Sequence, residues 1–201
     1  PVLGALPRAQ AGTLLPGRHL GLVTPEEHGQ KDELKAGLLS LVEGSLDTER
    51  LFALARGAPS LEIPGPAAGT VFGGNGLTIG YLRDSAFTFY YPENLEALEA
   101  SGAELVPIGA LTAGQLPARL DALYIGGGFP ETHAARLASN ASFLASIRAR
   151  ARQGLPIYAE CGGLMLLARS MSWKGQHFPM AGVLPFDVEV CSVPQGHGYA
   201  R

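Results

Sequence analysis

Cysteine is almost missing from these 201 residues. The two present, Cys161 and Cys191, form no C-x-x-C pair and have no clustered histidine, which gives a zinc site or a disulfide framework no footing. Charge is sparse as well: 16 % of residues are charged, the formal net charge is −3 and the pI is near 6.0. Without a broad basic surface, neither nucleic acid nor an anionic membrane is an expected partner; a small molecule or another protein is. Long apolar runs are absent: none reaches the roughly 18 residues that a bilayer-spanning helix needs. The first residues lack the charged-then-apolar layout of a secretory leader, so the cytoplasm is the expected compartment. What is abundant is ordinary core material, 46 % hydrophobic residues, enough for one domain or one and a fraction.

The chain reads as unequal parts. Residues 1–56 hold two short strand-like pieces, "VLGAL" and "HLGLV". A helix is then expected, with Thr24 as N-cap, Pro25 in the first turn and Glu27 completing a capping box, followed by a second helix from about Asp47. So small a unit buries too little surface to be comfortable alone, and it reads as the end of a larger domain. Residues 57–76 carry six glycines and three prolines in twenty positions and read as a linker. The cluster "GGNGLTIG" precedes a strand where a phosphate loop should follow one, and no Gly-Lys-Ser/Thr is present, so it is taken as turn or linker. The opening at Pro1 and the close within "PQGHGYAR" carry the expectation that both ends continue in a longer protein.

From Leu77 the pattern becomes regular. Strands are expected at "LTIGYL", "AELVPI", "ALYIGG" and "LPIYAE", separated by helices at "PENLEALEASG" and along "HAARLASNASFLASIRARARQG", with a last helix at "GGLMLLARS". Short apolar strands joined through helices imply parallel pairing, right-handed crossovers and helices on both faces. The expected fold class is therefore α/β, a doubly wound, mostly parallel sheet, with residues 77–201 as one domain. Sites in such sheets gather at the carboxyl ends of the strands.

Two strand ends attract notice, "YIGGGFPE" at 124–131 and "YAECGGLML" at 158–166. Cys161 falls where strand gives way to helix, and Gly162 and Gly163 after it permit a tight turn. That is the layout of a nucleophile elbow, in which the helix start stabilises a thiolate. The competing reading is a buried structural cysteine, the common fate of cytosolic cysteines. At the other strand end, Gly126, Gly127 and Gly128 free backbone N–H groups to face an anion, and with the N–H of Gly162 they would make an oxyanion hole. The plain alternative is a glycine-rich turn. Cys191, alternating with Val188, Val190 and Val193, reads as structural.

"YIGGGFPE" followed by "GLPIYAECGGLMLL", with "AFTFYYPENLEALEASGAELVP" upstream and "PMAGVLP" and "PQGHGY" downstream, resembles the cobyrinic acid a,c-diamide synthase family. The likeness runs through essentially the whole chain and is most specific in residues 86–107, 124–131 and 155–168. It implies a class I, triad-type glutamine amidotransferase domain of flavodoxin-like topology, preceded in residues 1–56 by the end of an ATP-dependent, phosphate-loop synthetase domain. The activity implied is glutamine-dependent amidation of the a and c carboxylates of cobyrinic acid, in cobalamin biosynthesis. Glutamine, cobyrinic acid and ATP are then the expected partners. ATP and Mg²⁺ would act in the synthetase domain, glutamine hydrolysis would need no cofactor or metal, and a homodimer is held open. Cys161 would be the nucleophile, with Gly127, Gly128 and Gly162 serving the oxyanion.

The catalytic histidine that the resemblance implies belongs to an Arg-Gly-His-Glu-Phe-His-like segment, expected beyond Arg201. Of His19, His28, His133, His177 and His197, none lies in such a motif; His197 in "PQGHGY" is a substitute to test, and His133 reads as a capping or surface residue. On this reading the 201 residues alone would hydrolyse glutamine weakly. Other readings stay open: an amide ligase for another tetrapyrrole such as nickel sirohydrochlorin, a thiol hydrolase or peptidase on the same fold, and an interaction domain without chemistry.

Overall fold

A computed structural model describes residues 1–7, 17–18, 21–23, 27–61 and 76–192. The chain divides into two compact units, residues 1–69 and 70–201.

In the first unit, β1 (Gly17–Arg18) and β2 (Gly21–Leu22) pair antiparallel, and two helices follow, α1 (Lys31–Ser45) and α2 (Thr48–Arg56). The expected start of α1 needs correction. Thr24 and Pro25 lie outside the described residues, but Glu27 sits in a turn and the helix begins only at Lys31, with Gln30 as its N-cap. The second start is as expected: Asp47 caps α2 by accepting from the Arg50 N–H at 3.0 Å. "VLGAL" makes no strand. It contributes an isolated bridge, Gly4 to Leu46, and the Leu3 carbonyl accepts from the Asp47 N–H. The segment thus serves the break between the two helices, whose backbone groups lack helical partners, instead of joining a sheet. No residue of either helix is buried.

The second unit runs β3 (Thr78–Leu82), β4 (Phe87–Phe89), α3 (Pro92–Ala100), β5 (Glu104–Ile108), β6 (Ala122–Ile125) and β7 (Gly127–Gly128). A 3₁₀ turn (Pro130–His133) leads into α4 (Ala134–Ser139), α5 (Ala141–Arg152), β8 (Ile157–Ala159), α6 (Gly162–Leu167), β9 (Ser170–Trp173), β10 (Gln176–Pro179) and β11 (Asp187–Val190). The central sheet has the order β5-β3-β6-β8 and is wholly parallel. The path from β3 to β5 and the path from β6 to β8 travel in opposite directions, so right-handed crossovers put α3 on one face and α5 on the other. The carboxyl ends of β3 and β6 flank the point where the winding reverses, the usual place for a site.

One face is the core. Leu82, Leu123 and Ile125 pack there with Phe143 and Ile147 of α5, Leu166 of α6, Met171 and Met180, all buried. Each such side chain contributes on the order of 1.5–3 kcal/mol by leaving water. The opposite face carries an in-register row, Pro107, Tyr81, Tyr124 and Tyr158, one from each strand.

Two helices differ from expectation. The long helix is broken at Asn140, whose side-chain NH₂ donates to the Ala110 and Ala113 carbonyls at 2.9 Å each; tying to that loop displaces the helical path. The helix after Cys161 stops at Leu167, because Arg169 and Ser170 lead into a second sheet, order β10-β9-β11. Its β9–β10 hairpin turns through Lys174 and Gly175, both at positive φ, and the Lys174 ammonium lies 5.2 Å from the Trp173 ring centroid.

Candidate active site

Cys161 sits on a strained turn. β8 ends at Ala159, the Glu160 N–H donates to the Ile125 carbonyl at 2.9 Å, and the Gly163 N–H donates back to the Glu160 carbonyl at 2.7 Å. Between these bonds Cys161 is held at φ 47°, ψ −106°, with its residue exposed. A non-glycine residue in such a region costs on the order of 1–3 kcal/mol, and such strain concentrates at functional sites. The structural-cysteine alternative therefore has a positional difficulty: a buried thiol needs neither exposure nor strain.

The two glycines that follow are required by close approach. A Cβ on Gly163 would run into the Ile125 carbonyl oxygen, and one on Gly162 would lie 2.8 Å from Pro130 Cδ and 3.2 Å from the Gly128 nitrogen. Only bare backbone lets α6 start this near the 125–130 loop. Gly127 completes the arrangement, since a Cβ there would stand 3.6 Å from the Cys161 Cβ. The structure thus brings together Cys161, Gly127, Gly128 and Gly162, the four positions that the sequence nominated. The first-turn N–H groups of α6, Gly162 among them, have no helical acceptor.

Behind the loop, β4 pairs antiparallel with β7, Phe87 opposite Gly128 and Phe89 opposite Gly127. The Phe89 ring meets that of Phe129 edge-on, centroids 5.2 Å apart, and stays half exposed beside Gly127. Next to it, the Tyr90 hydroxyl donates to the Leu82 carbonyl at 2.5 Å and accepts from the Gly126 N–H at 2.9 Å. Burial pushes the Tyr90 phenol far above its ordinary range. The Tyr124 hydroxyl donates to Glu160 Oε1 at 3.1 Å; burial foremost, and then this carboxylate, raise its pKa. The Tyr158 phenol is also raised, chiefly by its hydrogen bond to Glu160. Sequence reasoning assigns Phe89, Tyr90 and Glu160 no role; the signal available is an aromatic run ending at the proline-started helix.

Of the histidines, His28, His133 and His177 lie among the described residues, while His19 does not. His133 closes the 3₁₀ turn after the glycine loop and stands half-buried at the N-cap position of α4, the helix start expected of it, without a side-chain capping hydrogen bond. His177 lies in β10, its Nδ1 3.3 Å from Ser172 Oγ, and His197 is outside the described residues. Cys191 follows β11, partly buried. Among the described residues no group of three or more His, Cys, Asp or Glu could hold a metal ion, and no helix is long and apolar enough to cross a membrane.

The model of the CobB/CobQ-like glutamine amidotransferase domain matches residues 78–199. Among curated proteins, the cobyrinate a,c-diamide synthase of Magnetococcus marinus is 44 % identical over all of this chain and 44 % of its own length. That of Listeria innocua is 43 % identical over 91 % of this chain and 40 % of its length. That of Caldanaerobacter subterraneus is 39 % identical over 100 % of this chain and 44 % of its length. The chain therefore spans about two-fifths of the length of the curated relatives it matches. With a family model covering more than half of its residues, this chain belongs to the CobB/CobQ-like glutamine amidotransferase domain family.

Proposed function

We propose that this chain is the glutaminase part of a cobyrinate a,c-diamide synthase. The observation that carries the reading is the exposed, strained Cys161 with Gly127 against its Cβ. The thiolate adds to the amide carbon of glutamine, and the carbonyl oxygen takes up the negative charge. Backbone N–H groups of the Gly127–Gly128 loop and of Gly162 face that oxygen. As the tetrahedral adduct collapses, the C–N bond breaks and ammonia leaves with the proton that the thiol gave up. Water then adds to the glutamyl thioester and the C–S bond breaks, returning the thiol and glutamate. A general base must carry those protons, and the family resemblance implies a histidine for that part. Losing one oxyanion donor typically costs about 2.7–4 kcal/mol of barrier.

In the longer protein the ammonia would serve ATP-dependent amidation of the a and c carboxylates of cobyrinic acid. No acidic cluster among the described residues fits Mg²⁺, and none of the steps at Cys161 involves Mg²⁺-ATP. Residues 1–56 are read as the end of the synthetase domain, residues 57–76 as linker and residues 77–201 as the amidotransferase domain. The cytoplasm is the proposed compartment, and a homodimer is held open.

The test compares two chloroketones, one carrying the α-amino acid head of glutamine and one lacking it. Selective alkylation of Cys161 by the first, slowed by added glutamine, is expected. Equal rates would point instead to a thiol hydrolase, and a Cys161 less reactive than Cys191 would remove the nucleophile assignment. Supplying the longer protein with glutamine, ATP and candidate tetrapyrroles, and weighing the products, separates cobyrinic acid from nickel sirohydrochlorin.

A further inference from the structure

The segment Ala86–Asn94 contributes to the family resemblance, yet the chemistry at Cys161 uses none of its side chains. We propose that Tyr90 is a positioning residue for the glutaminase reaction, its hydroxyl setting the Gly126–Gly128 loop against Cys161. The proposal rests on the reading of Cys161 as the glutaminase nucleophile.

The geometry is a bridge between two strand ends. β3 ends at Leu82 and β6 at Ile125; the Tyr90 oxygen donates to the Leu82 carbonyl at 2.5 Å and accepts from the Gly126 N–H at 2.9 Å. A hydroxyl can do both at once, and phenylalanine can do neither. The ring itself has little freedom. It stands edge-on to Tyr81 and Tyr124, with centroids 5.5 and 5.0 Å away, and a Cβ on Gly126 would come within 2.7 Å of its Cζ. Burial keeps the phenol protonated across the working pH range, so the two-way role persists. Gly127, the next residue, is the one beside Cys161. A shift at Gly126 is therefore passed directly to the N–H groups that would meet the oxyanion. Catalytic geometry of this kind tolerates little displacement.

The experiment uses the 201-residue chain, the glutamine-shaped chloroketone and iodoacetamide, with Tyr90→Phe and, as a control for the aromatic cluster, Tyr81→Phe. The thiolate adds to the ketone carbonyl and places charge on oxygen; the sulfur then displaces chloride from the adjacent CH₂, and the carbonyl re-forms as the first C–S bond breaks. Iodoacetamide loses iodide at a saturated carbon and needs no oxyanion donor. In Tyr90→Phe the chloroketone rate should fall about three- to tenfold, the size of the lost hydrogen bond to the Gly126 N–H alone, while the iodoacetamide rate holds and Tyr81→Phe changes neither. An unchanged rate ratio in Tyr90→Phe, with glutamine selectivity intact in the parent, overturns the role of Tyr90 alone. Absence of that selectivity in the parent overturns the underlying reading of Cys161. Should Tyr90→Phe not fold, 3,5-difluorotyrosine at position 90 keeps the shape but acidifies the phenol. The ratio should then fall as pH rises through its titration, and a flat profile counts against the proposal.

Discussion

Gly127 and Cys161 are neighbours in space: a Cβ on the glycine would lie 3.6 Å from the cysteine Cβ and 3.4 Å from the Phe89 side chain. Those are ordinary contact distances, so alanine fits the backbone but fills the space beside the thiol. Gly127→Ala should keep its melting temperature within a few degrees, while labelling by the glutamine-shaped chloroketone slows by about tenfold or more. Gly128→Ala differs, because its Cβ would strike the Ala86 carbonyl oxygen across the β4–β7 pair. It should lose about 1–3 kcal/mol in thermal or urea unfolding.

The strain at Cys161 predicts a trade between stability and reactivity. Cys161→Gly relieves φ 47° and should raise stability by about 1 kcal/mol after allowing for the looser unfolded chain. Labelling at this position would vanish. Cys161→Ser also removes the thiol but keeps the strain, and its urea midpoint should match the parent.

Asn140→Ala removes two hydrogen bonds that tie the α4–α5 joint to the Ala110–Ala113 loop. The loss should be about 1–3 kcal/mol, depending on how far water reaches the freed carbonyls. Because Asn140 is no part of the candidate active site, the ratio of chloroketone to iodoacetamide rates should not move.

Acid should act through Asp187. Its carboxylate accepts from Ser170 Oγ at 2.7 Å and pairs with Arg169 at 2.6 Å; the Ser170 bond foremost, and then Arg169, hold its pKa below the ordinary 3.8. A depressed folded-state pKa gives stability that is present above the unfolded value and lost as pH falls through the folded one. Melting curves below about pH 4 should therefore show a shallower acid slope in Asp187→Asn than in the parent.

Cys161 and its glycines were legible because a strand end, a small-residue turn and an apolar helix leave a distinct local pattern. The parallel sheet was legible for a similar reason: Leu82, Leu123 and Ile125 belong to short apolar strands alternating with helices. What escaped reading depends on long-range partners. The break at Asn140 arises from carbonyls about thirty residues away, and nothing beside Asn140 in the sequence announces them. The hairpin through Lys174 and Gly175 carries a lysine at positive φ, an uncommon choice for such a turn. Tyr90 stands in the sequence as family resemblance and no more, since its two hydrogen-bond partners are backbone groups, which no side-chain pattern reveals.

Trp173, the single tryptophan of the chain, stands at the end of β9, and β9 starts three positions after α6 ends. Tryptophan fluorescence therefore originates in the small second sheet. Emission excited at the red edge becomes a native optical gauge of whether events at the cysteine turn are transmitted along α6. No added dye is needed to read it.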